Sequence, residues 1–239
     1  MSRTELAILY PGYAAEDDYP QLASLVSESV IFNVIHTSLG EGGDAHTVEA
    51  LRDMGESDRL AEAVASLDPS TAAVVWACTS GSFVYGWRGA HDQVANLAKL
   101  SGLPASSASL AFVHALSALG AHCVAVAASY PLSVAQHFVK FLADGGFEVV
   151  SSSTADIMTA TTAGHVDERT LSAMVREVDC AEAEVILIPD TALHTISAVP
   201  RLEQLAGKPV LTANQVCAWD AMRLAGVRSH VDAGRIFDY

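Results

Sequence analysis

The segment of this chain best equipped for chemistry is Ala77-Cys78-Thr79-Ser80-Gly81-Ser82. It follows the apolar run Val74-Val75-Trp76, which reads as a buried strand, and it exits through small polar residues into a glycine. Such an exit aims several main-chain N–H groups, with the Thr79 and Ser80 hydroxyls, at one point. A carboxylate can be held there, and the enolate formed beside it stabilised. The same amide dipoles favour a thiolate over a thiol. Cys78 then reads as a nucleophile or a proton carrier, against the alternative of a buried structural cysteine. Cys123, Cys180 and Cys217 fit better as small core residues.

Two further strand exits carry usable groups. Ala128-Ser129-Tyr130-Pro131 offers a tyrosine hydroxyl that could donate to a carboxylate, or a packing aromatic ahead of a helix-starting proline. In Pro189-Asp190-Thr191-Ala192, Asp190 either caps a following helix or faces Cys78 as a second proton-transfer group. Asp167 reads as a plain N-cap. Cofactor motifs are lacking: there is no P-loop, no strand-linked G-x-G-x-x-G and no G-x-S-x-G elbow. Gly40-Glu41-Gly42-Gly43 is an acidic turn hostile to phosphate. No C-x-x-C, H-x-x-x-H or H-E-x-x-H unit occurs among the four cysteines and nine histidines, which run from His36 to His230. Neither cofactor nor metal is expected.

These exits must be positioned by a parallel sheet. Leu6–Tyr10, Val30–His36, Ala72–Ala77, Cys123–Ala128, Glu148–Ser151, Val185–Pro189 and Val210–Ala213 read as strands, several of them apolar without alternation. Helical patterns cover Tyr19–Ser27, Thr47–Leu67, Arg88–Leu100, Ser109–Leu119, Leu132–Asp144, Asp167–Cys180, Ala198–Leu205 and Gln215–Leu224. Alternating strands and helices imply right-handed crossovers. A weak internal repeat accompanies them. Gly102-Leu103-Pro104 precedes a helix ending at Gly120, and Gly207-Lys208-Pro209 precedes one ending at Gly226. Two similar lobes would turn Pro11, Cys78, Tyr130 and Asp190 into one shared cleft, since ligands of parallel sheets sit at the carboxyl ends of strands.

The net charge of −15 disfavours nucleic acid and anionic membranes as partners. No apolar run reaches the roughly 18 residues of a membrane span. No signal peptide is read at the N-terminus, so a cytoplasmic location with reduced cysteines is expected.

Taken in order, Val75-Trp76-Ala77-Cys78-Thr79-Ser80, Ala128-Ser129-Tyr130, Ile188-Pro189-Asp190 with Leu193-His194-Thr195, and Ala218-Trp219-Asp220 through Arg223 to Gly226 resemble the arylmalonate decarboxylase and maleate isomerase family. This family lies within the Asp/Glu racemase superfamily. The resemblance runs to the tail at Gly234–Asp238. It implies an α/β fold of two Rossmann-like parallel-sheet lobes related by a pseudo-twofold axis, residues 1–117 with 213–239 forming one and 118–212 the other. The active site would lie in the cleft between them and need no cofactor. Cys78 matches the first of the family's two cysteines, the one that attacks the double bond in maleate isomerases. Asp190 stands at the second. Thr79, Ser80 and Tyr130 match the carboxylate-binding pocket, and Pro11 and Thr191 are expected to contact substrate. The family's Ser/Asn-rich stretch after the first strand is replaced by Pro11-Gly12-Tyr13-Ala14-Ala15.

The leading expectation is a maleate-isomerase-type enzyme acting on a small carboxylic acid. The alternatives are an arylmalonate-type decarboxylase with Cys78 as proton donor, a single-cysteine racemase, and a small-acid binding or sensing protein. A homo-oligomer is possible for any of them.

Overall fold

The computed structural model describes residues 3–26, 30–229 and 231–239. Ser27, the expected end of the first helix, and His230 lie outside the described residues. Strands β1 (Thr4–Pro11), β2 (Val30–Thr37), β3 (Thr71–Trp76) and β4 (Ala105–Ser107) form one parallel sheet in the order β2-β1-β3-β4. Strands β5 (Cys123–Ala128), β6 (Glu148–Thr154), β7 (Val185–Ile188) and β8 (Val210–Thr212) form a second, in the order β6-β5-β7-β8. The two halves thus repeat one topology. Each half has an inner pair, β1 with β3 and β5 with β7, whose carboxyl ends carry the residues singled out above. In β1 the run Leu6 to Tyr10 is buried at every position, as a strand covered on both faces requires.

Eleven α-helices occur among the described residues. In the first half these are α1 (Asp18–Leu25), α2 (Val48–Met54), α3 (Ser57–Val64), α4 (Ser80–Phe83), α5 (Gly86–Ser101) and α6 (Ala108–Leu119). In the second they are α7 (Leu132–Asp144), α8 (Ala160–Ala163), α9 (Glu168–Val178) and α10 (Val199–Ala206), and α11 (Ala213–Leu224) follows β8 but packs chiefly on α6 and β3 of the first. No helix among the described residues is long and apolar enough to cross a membrane.

The expected helix over Thr47–Leu67 is two helices. Thr47 caps the first, its side chain accepting from the Ala50 N–H. The break falls at Gly55, where a Cβ would lie 2.2 Å from the Gly81 carbonyl oxygen. Gln93 Nε2 donates to both carbonyls there, at 2.8 Å to Gly55 and 2.9 Å to Gly81. Close backbone approach therefore interrupts the helix and ties the break to the cysteine turn.

Strand β4 is absent from the sequence reading because it is three residues of Ala and Ser. Its value is positional, because Ser107 caps α6 and its hydroxyl meets that of Ser82 at 2.9 Å. Beside it, Ser109 donates to the Thr79 carbonyl at 2.8 Å.

The halves are joined by buried polar contacts and by a clasp. Asp18 on α1 accepts from the Thr195 N–H at 2.9 Å and from Asn214 Nδ2 at 3.0 Å. Tyr10 donates to the Thr191 carbonyl at 2.7 Å. The clasp pairs Ala45 with Thr159 across an antiparallel bridge. It is reinforced by His46 N–H to Met158 O (2.8 Å), Ala160 N–H to Asp44 O (3.0 Å) and Thr161 N–H to Asp44 Oδ2 (2.9 Å).

Candidate active site

Strand β3 delivers Cys78 to the boundary between the halves. The Ala77 N–H still bonds to Leu9 O at 2.8 Å, and α4 starts two residues after the thiol. Cys78 is 4% exposed. Its sulfur accepts from the Gly81 N–H at 3.2 Å and lies 3.8 Å from Ser80 Oγ and 3.7 Å from Met54 Sδ. A Cβ on Gly81 would stand 2.9 Å from this sulfur and 3.3 Å from the Trp76 ring, so only glycine lets the turn fold under the thiol. Burial pushes the thiol up to about 11, outweighing the lowering by the Gly81 N–H and the Ser80 hydroxyl, and the charge of Asp190 adds to the rise. The amide dipoles act in the expected direction, but desolvation is the larger effect. In the free protein the group is a thiol, not the thiolate expected from the sequence.

Asp190 is 3% exposed. Its carboxylate accepts from the Ala192 N–H at 2.9 Å and from the Ser129 hydroxyl. The first of these bonds closes a local turn of the Asx kind. No helix starts here, since the next one, α10, begins at Val199; Asp190 is therefore no helix cap. Asp167 does cap α9, accepting from the Thr170 N–H at 2.8 Å.

Cys78, Asp190, Pro11, Ser80 and Thr191 line one small cavity of about 30 Å³ between the halves. Thr79 and Tyr130 stand behind its wall, both fully buried or nearly so. The Tyr130 hydroxyl donates to the Pro189 carbonyl at 2.5 Å, and its own proton is raised well above the usual range, first by burial and then by the charge of Asp190. Thr79 Oγ1 is buried with no hydrogen bond of good geometry, yet near enough to the Tyr130 hydroxyl to offset part of the rise in its proton affinity. The rest of the wall was not singled out from sequence: Tyr10, Ala14, Leu39, Asp44, His46, Leu51, Met54, Ala160 and Ala192. His46 carried a faint signal, an imidazole directly ahead of the cap Thr47 and just after the acidic turn.

Of the remaining cysteines, Cys217 is buried, whereas Cys123 and Cys180 are only partly so. Cys123 opens β5, and Cys180 lies two residues past the end of α9, packed against the core of the second half. A wider groove runs along the end of α11 between Ala118, Trp219 and Tyr239, and none of the strand-exit residues reaches it. Among the described residues, no group of three His, Cys, Asp or Glu side chains is placed to hold a metal ion.

The sequence and the fold have counterparts among known proteins. The family model described as arylmalonate decarboxylase matches residues 48–237. The arylmalonate decarboxylase of Bordetella bronchiseptica is 32% identical over 142 residues, 58% of this chain, and the match spans only 59% of that relative's length. The maleate isomerase of Geobacillus stearothermophilus is 25% identical over 193 residues, covering 77% of this chain and 76% of the relative. Among solved structures, a double mutant of arylmalonate decarboxylase superimposes with a TM-score of 0.85. It has one cysteine introduced and another replaced by serine, and it is in its liganded form. It is 27% identical and covers 99% of both chains.

Proposed function

The chain belongs to the arylmalonate decarboxylase family, and from that premise we propose that it is a cofactor-independent isomerase of a small unsaturated carboxylic acid, working through Cys78. The observation that carries this reading is the placement of Cys78 and Asp190 in the wall of one buried cavity, with the Ser80 hydroxyl beside the sulfur. The substrate carboxylate sits against Ser80 and the first main-chain N–H groups of α4, with Thr79 behind them. Asp190 takes the proton of Cys78. The sulfur adds to the doubly bonded carbon β to that carboxylate, and the electron pair of the double bond moves through the α-carbon onto the carboxylate as an enediolate held by these donors. Rotation about the bond that is now single, followed by expulsion of the thiolate, restores the double bond in the other geometry. Asp190 returns the proton. Atoms and charge balance, and no redox step is needed.

Passing the proton from Cys78 to Asp190 leaves the total charge of the cavity unchanged. Asp44 lines the same wall, so a step that added a further negative charge there would meet strong repulsion.

A second reading, decarboxylation of a substituted malonate with Cys78 protonating the enediolate, is favoured by the decarboxylase relative being the more identical one. The two separate in D₂O. Proton NMR should show cis-to-trans conversion of maleate and no CO₂ release from aryl- or alkylmalonates, with the conversion reduced at least roughly a thousandfold in Cys78→Ala. CO₂ loss with one deuterium at the α-carbon establishes the decarboxylase instead. Unchanged turnover in Cys78→Ala removes thiol chemistry altogether.

A further inference from the structure

The sulfur of Cys78 is held by groups from two short turns, and one side chain outside the cavity ties both turns together. The Gly81 N–H reaches the sulfur at 3.2 Å from α4, and Met54 Sδ reaches it at 3.7 Å from the end of α2. Gln93, in the middle of α5, donates from Nε2 to the Gly81 carbonyl at 2.9 Å. The same nitrogen donates at 2.8 Å to the carbonyl of Gly55, the residue after Met54. A side-chain amide nitrogen carries two hydrogens, one for each carbonyl, whereas two carbonyl oxygens can only accept and repel each other at close range. The amide is therefore what lets the two turns close on one another.

The orientation of that amide is fixed. Turned over, it would set Oε1 against two acceptors. As it stands, Oε1 is buried with no hydrogen-bond partner among the described residues, which is a cost. A residue present only to fill space would incur that cost for nothing. Gln93 does not line the cavity, so its influence on a substrate must pass through the sulfur. Other ties between the same segments bypass the sulfur. Tyr85 Oη donates to the Arg52 carbonyl at 2.5 Å, and Arg52 Nη2 to the Val84 carbonyl at 3.4 Å. These keep the end of α2 docked when Gln93 is changed, while Gly81 is released.

We propose that Gln93 is a positioning residue for Cys78, and that its clamp on the Gly55 and Gly81 carbonyls keeps the Gly81 N–H and the Met54 thioether against the sulfur and so sets its reactivity. The inference rests on Cys78 being the reacting group of the proposed function.

Loss of the clamp has a direction. The Gly81 N–H favours the thiolate, so a turn that swings away makes the thiol harder to ionise. Simple loosening acts the other way, since entering water brings the thiol back from about 11 toward the ordinary 9.0. The test follows alkylation of the Cys78 peptide by iodoacetamide from pH 7 to pH 11, without substrate, in the wild type, Gln93→Met and Gln93→Asn. Met fills similar space without a donor, and Asn keeps the amide but is too short to reach both carbonyls. At pH 8 Cys78 should react about tenfold more slowly in Gln93→Met, and the rise of rate with pH should move to higher pH. Gln93→Asn should fall between, and it carries the comparison if the Met variant does not fold. During turnover kcat should fall with KM held within about twofold. An unchanged alkylation profile, a faster reaction with its rise moved toward pH 9, or a loss carried by KM overturns the proposal. Turnover in Cys78→Ala is read separately. Slowed alkylation in Gln93→Met with turnover indifferent to Cys78 rejects the thiol mechanism alone. An unchanged alkylation profile with turnover lost in Cys78→Ala rejects this inference alone.

Discussion

The proton on Cys78 is the quantity from which the chemistry at residue scale follows. Burial lifts this thiol from the ordinary 9.0 to about 11, so at neutral pH the sulfur is protonated and a base must act before attack. The proposed mechanism gives that task to Asp190, whose carboxylate is held by the Ser129 hydroxyl and the Ala192 N–H. A raised folded-state value also fixes a sign for stability. The folded protein holds the proton more tightly than the unfolded chain, so the contribution is fully present below pH 9 and is lost as pH rises from about 9 to about 11. The difference corresponds to roughly 3 kcal/mol at most. Urea unfolding followed from pH 8 to pH 11 should therefore show a steeper alkaline loss in the wild type than in Cys78→Ala. Parallel curves would mean the thiol is not buried as described. Cys78 and Asp190 were legible in the sequence because their strands end in short turns of small residues. His46 was not, because it reaches the cavity wall through the clasp to residues 157–161, a contact between segments more than a hundred positions apart.

At the scale of elements, the site is a product of short pieces that periodicity does not register. Helix α4 has four residues and β4 has three, too few for an apolar pattern to repeat. Yet α4 bends the chain under the sulfur, and β4 places Ser107 against Ser82 and starts α6, whose Ser109 holds the Thr79 carbonyl. The long elements were read well, β5 and α7 with the boundaries found in the structure. The break between α2 and α3 was not, since its cause is the Gly81 carbonyl pressed against Gly55. This packing gives a prediction for Gly81→Ala. The added methyl would meet the Cys78 sulfur at 2.9 Å and the Trp76 ring at 3.3 Å, and α4 would have to shift. Turnover should fall by about a hundredfold while circular dichroism stays that of the wild type. Retained activity would show that the position of the thiol tolerates movement of the turn.

Over the whole molecule, the repeated sheet order is what makes a cleft, and buried polar contacts hold it shut. The repeat was visible in the Gly102 and Gly207 segments, because each precedes a short strand and a helix in equivalent places. The contacts that join the halves were invisible, because Asp18, Thr195 and Asn214 are scattered in sequence and meet only after both sheets form. Asn214 Nδ2 serves Asp18 at 3.0 Å and the Thr191 carbonyl at 3.1 Å, and burial already pushes the Asp18 carboxyl upward. Asn214→Ala leaves that carboxylate short of a donor and should cost about 3 kcal/mol. In a chain of this size that lowers the melting temperature by roughly 6–12 °C; a shift within a degree would show the joint to be dispensable. The measurement that goes most directly to the centre is acid quench of the enzyme during turnover of an unsaturated acid, followed by peptide mass analysis. The account predicts a fraction of the Cys78 peptide heavier by one substrate molecule, with the Cys123, Cys180 and Cys217 peptides unchanged. Steady turnover with Cys78 unmodified, and undiminished in Cys78→Ala, would contradict it.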